Sequence, residues 1–288
     1  MAQERHDKTT VIRAKESVFR PHLKEVLEYK DLIFLLARRN LSVKYKQTVL
    51  GPLWLVIMPV ISALVSTFVF GGIAGLENQT GGVPYFVFYF SAFTLWAYFS
   101  ACITDTATTF SGNATLFRKV WFPRAVVPLS DILSELLRFA VHFVLLLIIM
   151  PISALAFGAK YSPAWGLLWL LPLILVQSAL LALGVGLLLS ALTAKYRDLS
   201  SLVPLGVDAW KYLTPVVYTA SSLTGWVRTF CLVNPMGAGV EAFRYILLGT
   251  GGSVEWVFLA IGLAETLVVL GVGLLLFHRV ERTFVDTV

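Results

Sequence analysis

The chain has 288 residues, 57% of them hydrophobic and only 14% charged, where an average soluble domain carries about 25% charged residues. A soluble protein of this size cannot bury that much apolar surface. Soluble enzymes, nucleic-acid binders and disordered scaffolds are therefore excluded, and the class that remains is an all-α polytopic membrane protein. The net charge of +6 does not revive a nucleic-acid role, because residues 1–49 alone hold 11 Lys and Arg against 6 Asp and Glu, the mark of a cytoplasmic flank.

Residues 1–48 read as a cytoplasmic tail with no early apolar core of a cleavable signal. Within it, Leu23, Val26, Leu27, Ile33, Phe34, Ala37 and Leu41 recur at helical spacing. Residues 23–41 are thus expected to form an amphipathic helix lying in the inner membrane interface, with packing on a partner as the alternative. Six apolar runs follow, at 49–72, 84–104, 126–157, 164–192, 200–219 and 253–277. Each is about 20 residues or more, enough to cross roughly 30 Å of hydrocarbon, and none alternates as a barrel strand would. They define a transmembrane domain over 49–277 and a C-terminal tail over 278–288. Placing both termini inside puts 18 Lys and Arg on inner segments and 3 on outer ones.

The second run is rich in aromatics, and Tyr85, Tyr89, Phe93 and Trp96 share one helical face. Flat rings beside hydroxyls suit the C–H faces of a sugar chain, while an interfacial aromatic belt explains the same residues without a ligand. The inner loop 105–125 contains SGNATLFRKVWFPR, a short helix with an apolar ridge of Leu116, Phe117 and Val120 and basic flanks at Arg118 and Lys119. It suits a partner's groove or the inner leaflet, and the residues alone do not choose. The third run carries Asp131, Glu135, Arg138 and His142 on one narrow face, read as a buried polar network or a substrate contact. Asp208 and Lys211 form a similar pair in the fifth run, and Glu265 in the sixth has no partner in its own helix. Between those two runs, segment 220–252 holds two apolar stretches split by Asn234-Pro235, each too short to cross, and reads as a re-entrant helix pair.

No GxxxxGK[ST], HExxH or CxxC occurs, Cys102 and Cys231 suggest no disulfide framework, and no catalytic cluster is visible. The chain is therefore not expected to be an enzyme or to hold a cofactor or metal of its own. Internal repeats, which a secondary transporter would usually show, are not evident.

Four pieces in order, LARRNLSVKYKQTVLGPLWLVIMP, NATLFRKVWFPRAVVPLS, AKYRDLS and NPMGAGVEAFR, make the sequence resemble the permease subunit of type 2 ABC exporters, in the branch that exports O-antigen polysaccharide and teichoic acid. The likeness covers about residues 20–278; the extension 1–19 departs from it. The resemblance implies a homodimer of six-span subunits in the bacterial cytoplasmic (inner) membrane, served by two copies of a nucleotide-binding ATPase that holds ATP and Mg. Asn113, Leu116, Phe117, Arg118, Lys119, Val120 and Trp121 would form the coupling helix, and the Tyr85–Trp96 face would line the translocation path. The cargo would be polysaccharide on undecaprenyl diphosphate, O-antigen first, with teichoic acid, another glycan or a drug or lipid as alternatives. Arg38, Arg39, Lys44 and Lys46 stand where that diphosphate would lie, and also where any inner flank is basic.

Overall fold

The computed structural model describes residues 26, 28–45, 49–196, 198–250 and 252–287, with side chains placed up to residue 281. The described residues form helices α1 (Lys30–Tyr45), α2 (Trp54–Ser66), α3 (Tyr85–Ala107), α4 (Thr109–Lys119), α5 (Val126–Phe157), α6 (Leu170–Lys195), α7 (Leu199–Leu213), α8 (Gly225–Val233), α9 (Gly237–Leu248) and α10 (Trp256–Thr287). Among the described residues, five stretches are long and apolar enough to cross a membrane: Gly51–Ile73, Tyr85–Ala107, Val126–Phe157, Leu170–Lys195 and Trp256–Glu281.

α2 is entered through a 3-10 turn at Gly51–Leu53, carries Pro59 inside, and widens to a π-helical Thr67–Ile73 at its far end. α3 starts after Pro84, whose fixed φ and extended ψ of 134° set the turn into the helix. It is the most buried crossing and forms the centre of the bundle, with α5, α6, α7 and α9 packed round it. α6 and α10 pack at backbone contact: a Cβ added at Gly184 would stand 2.8 Å from the Leu270 backbone. Small residues allow such close approach where lipid supplies no hydrophobic drive for association.

The run expected at 200–219 is helical only through Leu213. Thr214, ahead of Pro215, is driven out of the α region to φ −105°, ψ 140°, and the chain stays non-helical to Thr219. The last helix also departs from expectation: it does not stop at Phe277 but continues to Thr287, so the tail 278–288 begins as an unbroken extension of the crossing. The Asn234-Pro235 break falls between α8 and α9, of 9 and 12 residues. At 1.5 Å per residue α9 is about 18 Å long, and nearly all of it is buried in protein. Cys102 and Cys231 are both free thiols and both buried.

Candidate functional site

Three arrangements sit at the places singled out in the sequence. The first is the loop between α3 and α5. The chain breaks at Thr108, turns into α4, kinks at Asn113 (φ −116°, ψ 16°) and leaves the helix at Val120, which is extended. Asn113 spends its amide on the Thr109 carbonyl at 3.1 Å, inside the loop. The Leu116 and Phe117 ridge also points inward. Phe117 lies against Phe110 and Phe122, with ring centroids 6.2 and 5.7 Å away, and under the Arg124 guanidinium at 5.4 Å. Phe110 stacks on Phe277 of α10 at 4.7 Å, and Arg124 donates to the Glu281 carbonyl at 2.8 Å. On the other side Leu116, Phe117 and Phe122 pack with Val26 and Leu36. The loop is thus held between α1 and α10, and what it presents outward is Arg118, Lys119, Val120 (55% exposed) and Trp121 (72% exposed). An apolar ridge on a short helix does not reveal which way it points; Phe277 and Glu281, which hold the loop from α10, lie far from it in sequence.

The second is a chain of charges at the same end. Lys44 on α1 donates to Asp105 on α3 at 2.6 Å and to Glu135 on α5 at 2.7 Å. Glu135 in turn pairs with Arg138 at 3.1 Å. Beside it, Asn40 donates to Asp131 at 2.8 Å. Burial works against the Lys44 charge, but the Glu135 and Asp105 carboxylates outweigh it and hold the ammonium above its ordinary value. Of the four cations expected at a lipid diphosphate, Lys44 is therefore engaged within the chain, Arg38 and Arg39 are exposed, Arg39 donating to Asn40 at 3.2 Å, and Lys46 lies outside the described residues. α1 turns Leu36 and Ala37 to the protein and leaves Phe34, Leu35 and Val43 exposed, an apolar edge suited to a bilayer surface.

The third is the aromatic face of α3. Tyr85, Tyr89 and Trp96 are buried in their own subunit. Tyr85 donates to the Val217 carbonyl at 2.6 Å, Tyr89 stands 3.4 Å from the Ser62 hydroxyl, and Trp96 meets Trp210 edge-on at 6.2 Å. Phe93 alone of the four reaches open space. It borders a cavity of about 390 Å3 whose walls include Trp54, Leu55 and Met58 of α2 and Arg138 and His142 of α5. Tyr89, Phe93 and His142 stack in a column, at 5.4 and 6.4 Å. Pro59 has no N–H, so the Leu55 carbonyl lacks its usual helical partner, and the His142 ring faces it.

At the opposite end Arg244 is fully buried. It donates to the carbonyls of Pro215 and, at 3.0 Å, Tyr218, and its guanidinium lies 4.0 Å from the Phe88 ring centre. Glu241, one turn earlier, accepts from the Ala220 N–H at 2.7 Å. The pair carries the backbone groups that the Pro215 break sets free. Asn234 ties the α8–α9 turn to α7, donating to Thr214 at 2.8 Å and accepting from the Trp210 indole at 3.1 Å. On α7, Asp208 is exposed and forms no ion pair with Lys211, whose ammonium lies 5.1 Å from the Tyr212 ring centre.

Compared with known proteins, residues 31–248 match the ABC-2 type transporter family. An O-antigen export system permease protein RfbA of Klebsiella pneumoniae is 26% identical over 259 residues, covering 89% of this chain and 94% of that protein. A protein of the same name from Myxococcus xanthus is 27% identical over 226 residues, covering 78% of this chain and 83% of its own.

Proposed function

The chain belongs to the ABC-2 type transporter family, and from that premise we propose that it is the permease subunit of an exporter for lipid-linked O-antigen polysaccharide in the bacterial cytoplasmic membrane. The observation that carries the substrate is the likeness to O-antigen export permeases over 89% of the chain. Two copies would work with two copies of a separate ATPase, which would bind ATP and Mg. Both termini face the cytoplasm in this reading, α7 and the extended residues after it complete a sixth crossing, and α8 and α9 enter and leave from the outer face. Asp208 supports a second copy. A carboxylate at membrane depth on an outward face is costly against lipid, so that face is turned to the partner copy across a watery path. Within the path, Phe93 is the member of the aromatic set placed to touch a sugar.

A strain lacking this chain should lose surface O-antigen and accumulate it on its lipid carrier inside. Complementation by the intact chain should restore export, and co-purification should yield an ATPase. Restoration of resistance to a drug, with O-antigen unaffected, would overturn the substrate and favour the rival exporter.

The docking surface we assign to the ATPase is the outward edge Arg118, Lys119, Val120 and Trp121, with Leu116, Phe117 and Asn113 shaping it from within. Trp121→Asp changes a side chain that is 72% exposed, so folded yield should hold while co-purified ATPase falls about tenfold, as loss of an aromatic anchor does. Phe117→Asp should instead lower folded yield, because that ring is clamped by Phe110, Phe122 and Arg124. Unchanged ATPase recovery with Trp121→Asp would remove this edge from the interface.

A further inference from the structure

The cavity between α2, α3 and α5, which Phe93 borders, also has polar features that a sugar contact at that ring does not use. The charges that run Asp105, Lys44, Glu135, Arg138 alternate in sign, and the last of them, a cation, lines the cavity. His142, 4% exposed, lines it too, and its Nδ1 has no hydrogen-bond partner among the described residues. Polar groups kept inside an apolar bundle mark ligand or ion sites more often than packing. The remaining wall is apolar: Leu55, Phe93, Ala97 and Met58. Met58 is 57% exposed, so the cavity wall reaches the outward, apolar surface of α2. Arg138 lies one helical turn beyond Glu135, the α5 residue that Lys44 of α1 reaches.

With α1 on the membrane surface and the exposed apolar face of α2 turned to lipid, a cation backed by an apolar slot is complementary to one kind of molecule. We propose that this cavity seats the phosphate headgroup of a membrane amphiphile, Arg138 taking the charge and the α2 wall taking the first part of the chain. The amphiphile is either the isoprenoid carrier of the exported glycan or bulk phospholipid; only the first alternative rests on the export reading. Arg is suited to this role because its planar guanidinium meets phosphate oxygens as a fork.

The test uses the full chain with its ATPase in detergent micelles, offered undecaprenyl phosphate, undecaprenol or phosphatidylglycerol, with retained lipid read by native mass spectrometry. Undecaprenyl phosphate should be retained about tenfold more than undecaprenol, the worth of a charged hydrogen bond in an apolar site. Arg138→Gln should erase that preference. Ala97→Phe fills the cavity while leaving Lys44, Glu135 and Arg138 themselves in place, and should lower retention of the phosphate-bearing lipid to the level of undecaprenol. Weak phosphatidylglycerol retention assigns the seat to the carrier; equal retention assigns it to bulk lipid. Equal retention of undecaprenol by the unmodified protein, or full retention by Ala97→Phe, overturns the proposal. Binding is read without export, so a failed cavity with O-antigen export intact leaves the transport reading standing. Lipid retained without any O-antigen phenotype does the reverse.

Discussion

Arg244→Gln should cost about 3–5 kcal/mol, the cost of breaking a buried charge pair from one side. The guanidinium serves two backbone carbonyls, those of Pro215 and Tyr218, and lies over Phe88. Glutamine cannot reach both and brings no charge. Glu241, 2% exposed, would keep the Ala220 N–H but lose the Arg244 cation one turn away. Thermal unfolding in detergent, followed by the fraction that remains monodisperse after heating, should show the loss as a markedly lower midpoint. Arg244→Lys should fall between, because an ammonium restores charge but not the paired donors. A midpoint unchanged by the glutamine variant would show that the 214–220 segment holds its shape without the clamp.

The second large effect is expected at Gly184→Val. The first new carbon alone would meet the Leu270 Cα and N at 2.8 Å, and these are backbone atoms that a rotamer change cannot move. α6 and α10 must separate, and overpacking of this kind costs about 1–3 kcal/mol or more. A matched control lies nearby on α10: a Cβ at Gly271 meets nothing within 4 Å, so Gly271→Ala should be silent or slightly stabilising. Folded yield and heat resistance of the two variants separate a specific close contact from general sensitivity to glycine replacement. Equal behaviour of both would contradict the contact.

Much of the scaffold was legible because lipid enforces simple rules. Long apolar runs of about 20 residues become helices since no other structure satisfies the backbone there. The Asn234-Pro235 break was readable for a similar reason, as proline removes a donor and restricts its predecessor. The end of α7 was less readable: Pro215 was visible, yet a proline within an apolar run can kink a helix or end it. What decided was Arg244, 29 residues later, offering donors to the freed carbonyls. The charged face of α5 forms a network, but its principal partner, Lys44, comes from a helix 91 residues earlier than Glu135, where the sequence offers either a diphosphate contact or a basic flank. Directions were the weakest point. Helical spacing grouped Tyr85, Tyr89, Phe93 and Trp96, and Leu116 with Phe117, but spacing has no sign. Both sets turned toward their own subunit, where the partners are Val217, Trp210, Phe110 and Phe122.

The construction of the first crossing bears on how the subunit yields under load. From Gly51 to Ile73 the winding changes from 3-10 to α to π, and Pro59 interrupts the ladder near the middle. Each change removes or lengthens backbone bonds that would otherwise resist bending. α3, by contrast, is an uninterrupted α-helix of 23 residues and the most buried of the crossings. The bundle therefore pairs a stiff axle with a compliant outer stave. A force delivered at the inner loop, and shared with α1 through Lys44, meets least resistance in α2. Displacement should concentrate there, at the wall of the Arg138 cavity, while the axle transmits rotation with little strain.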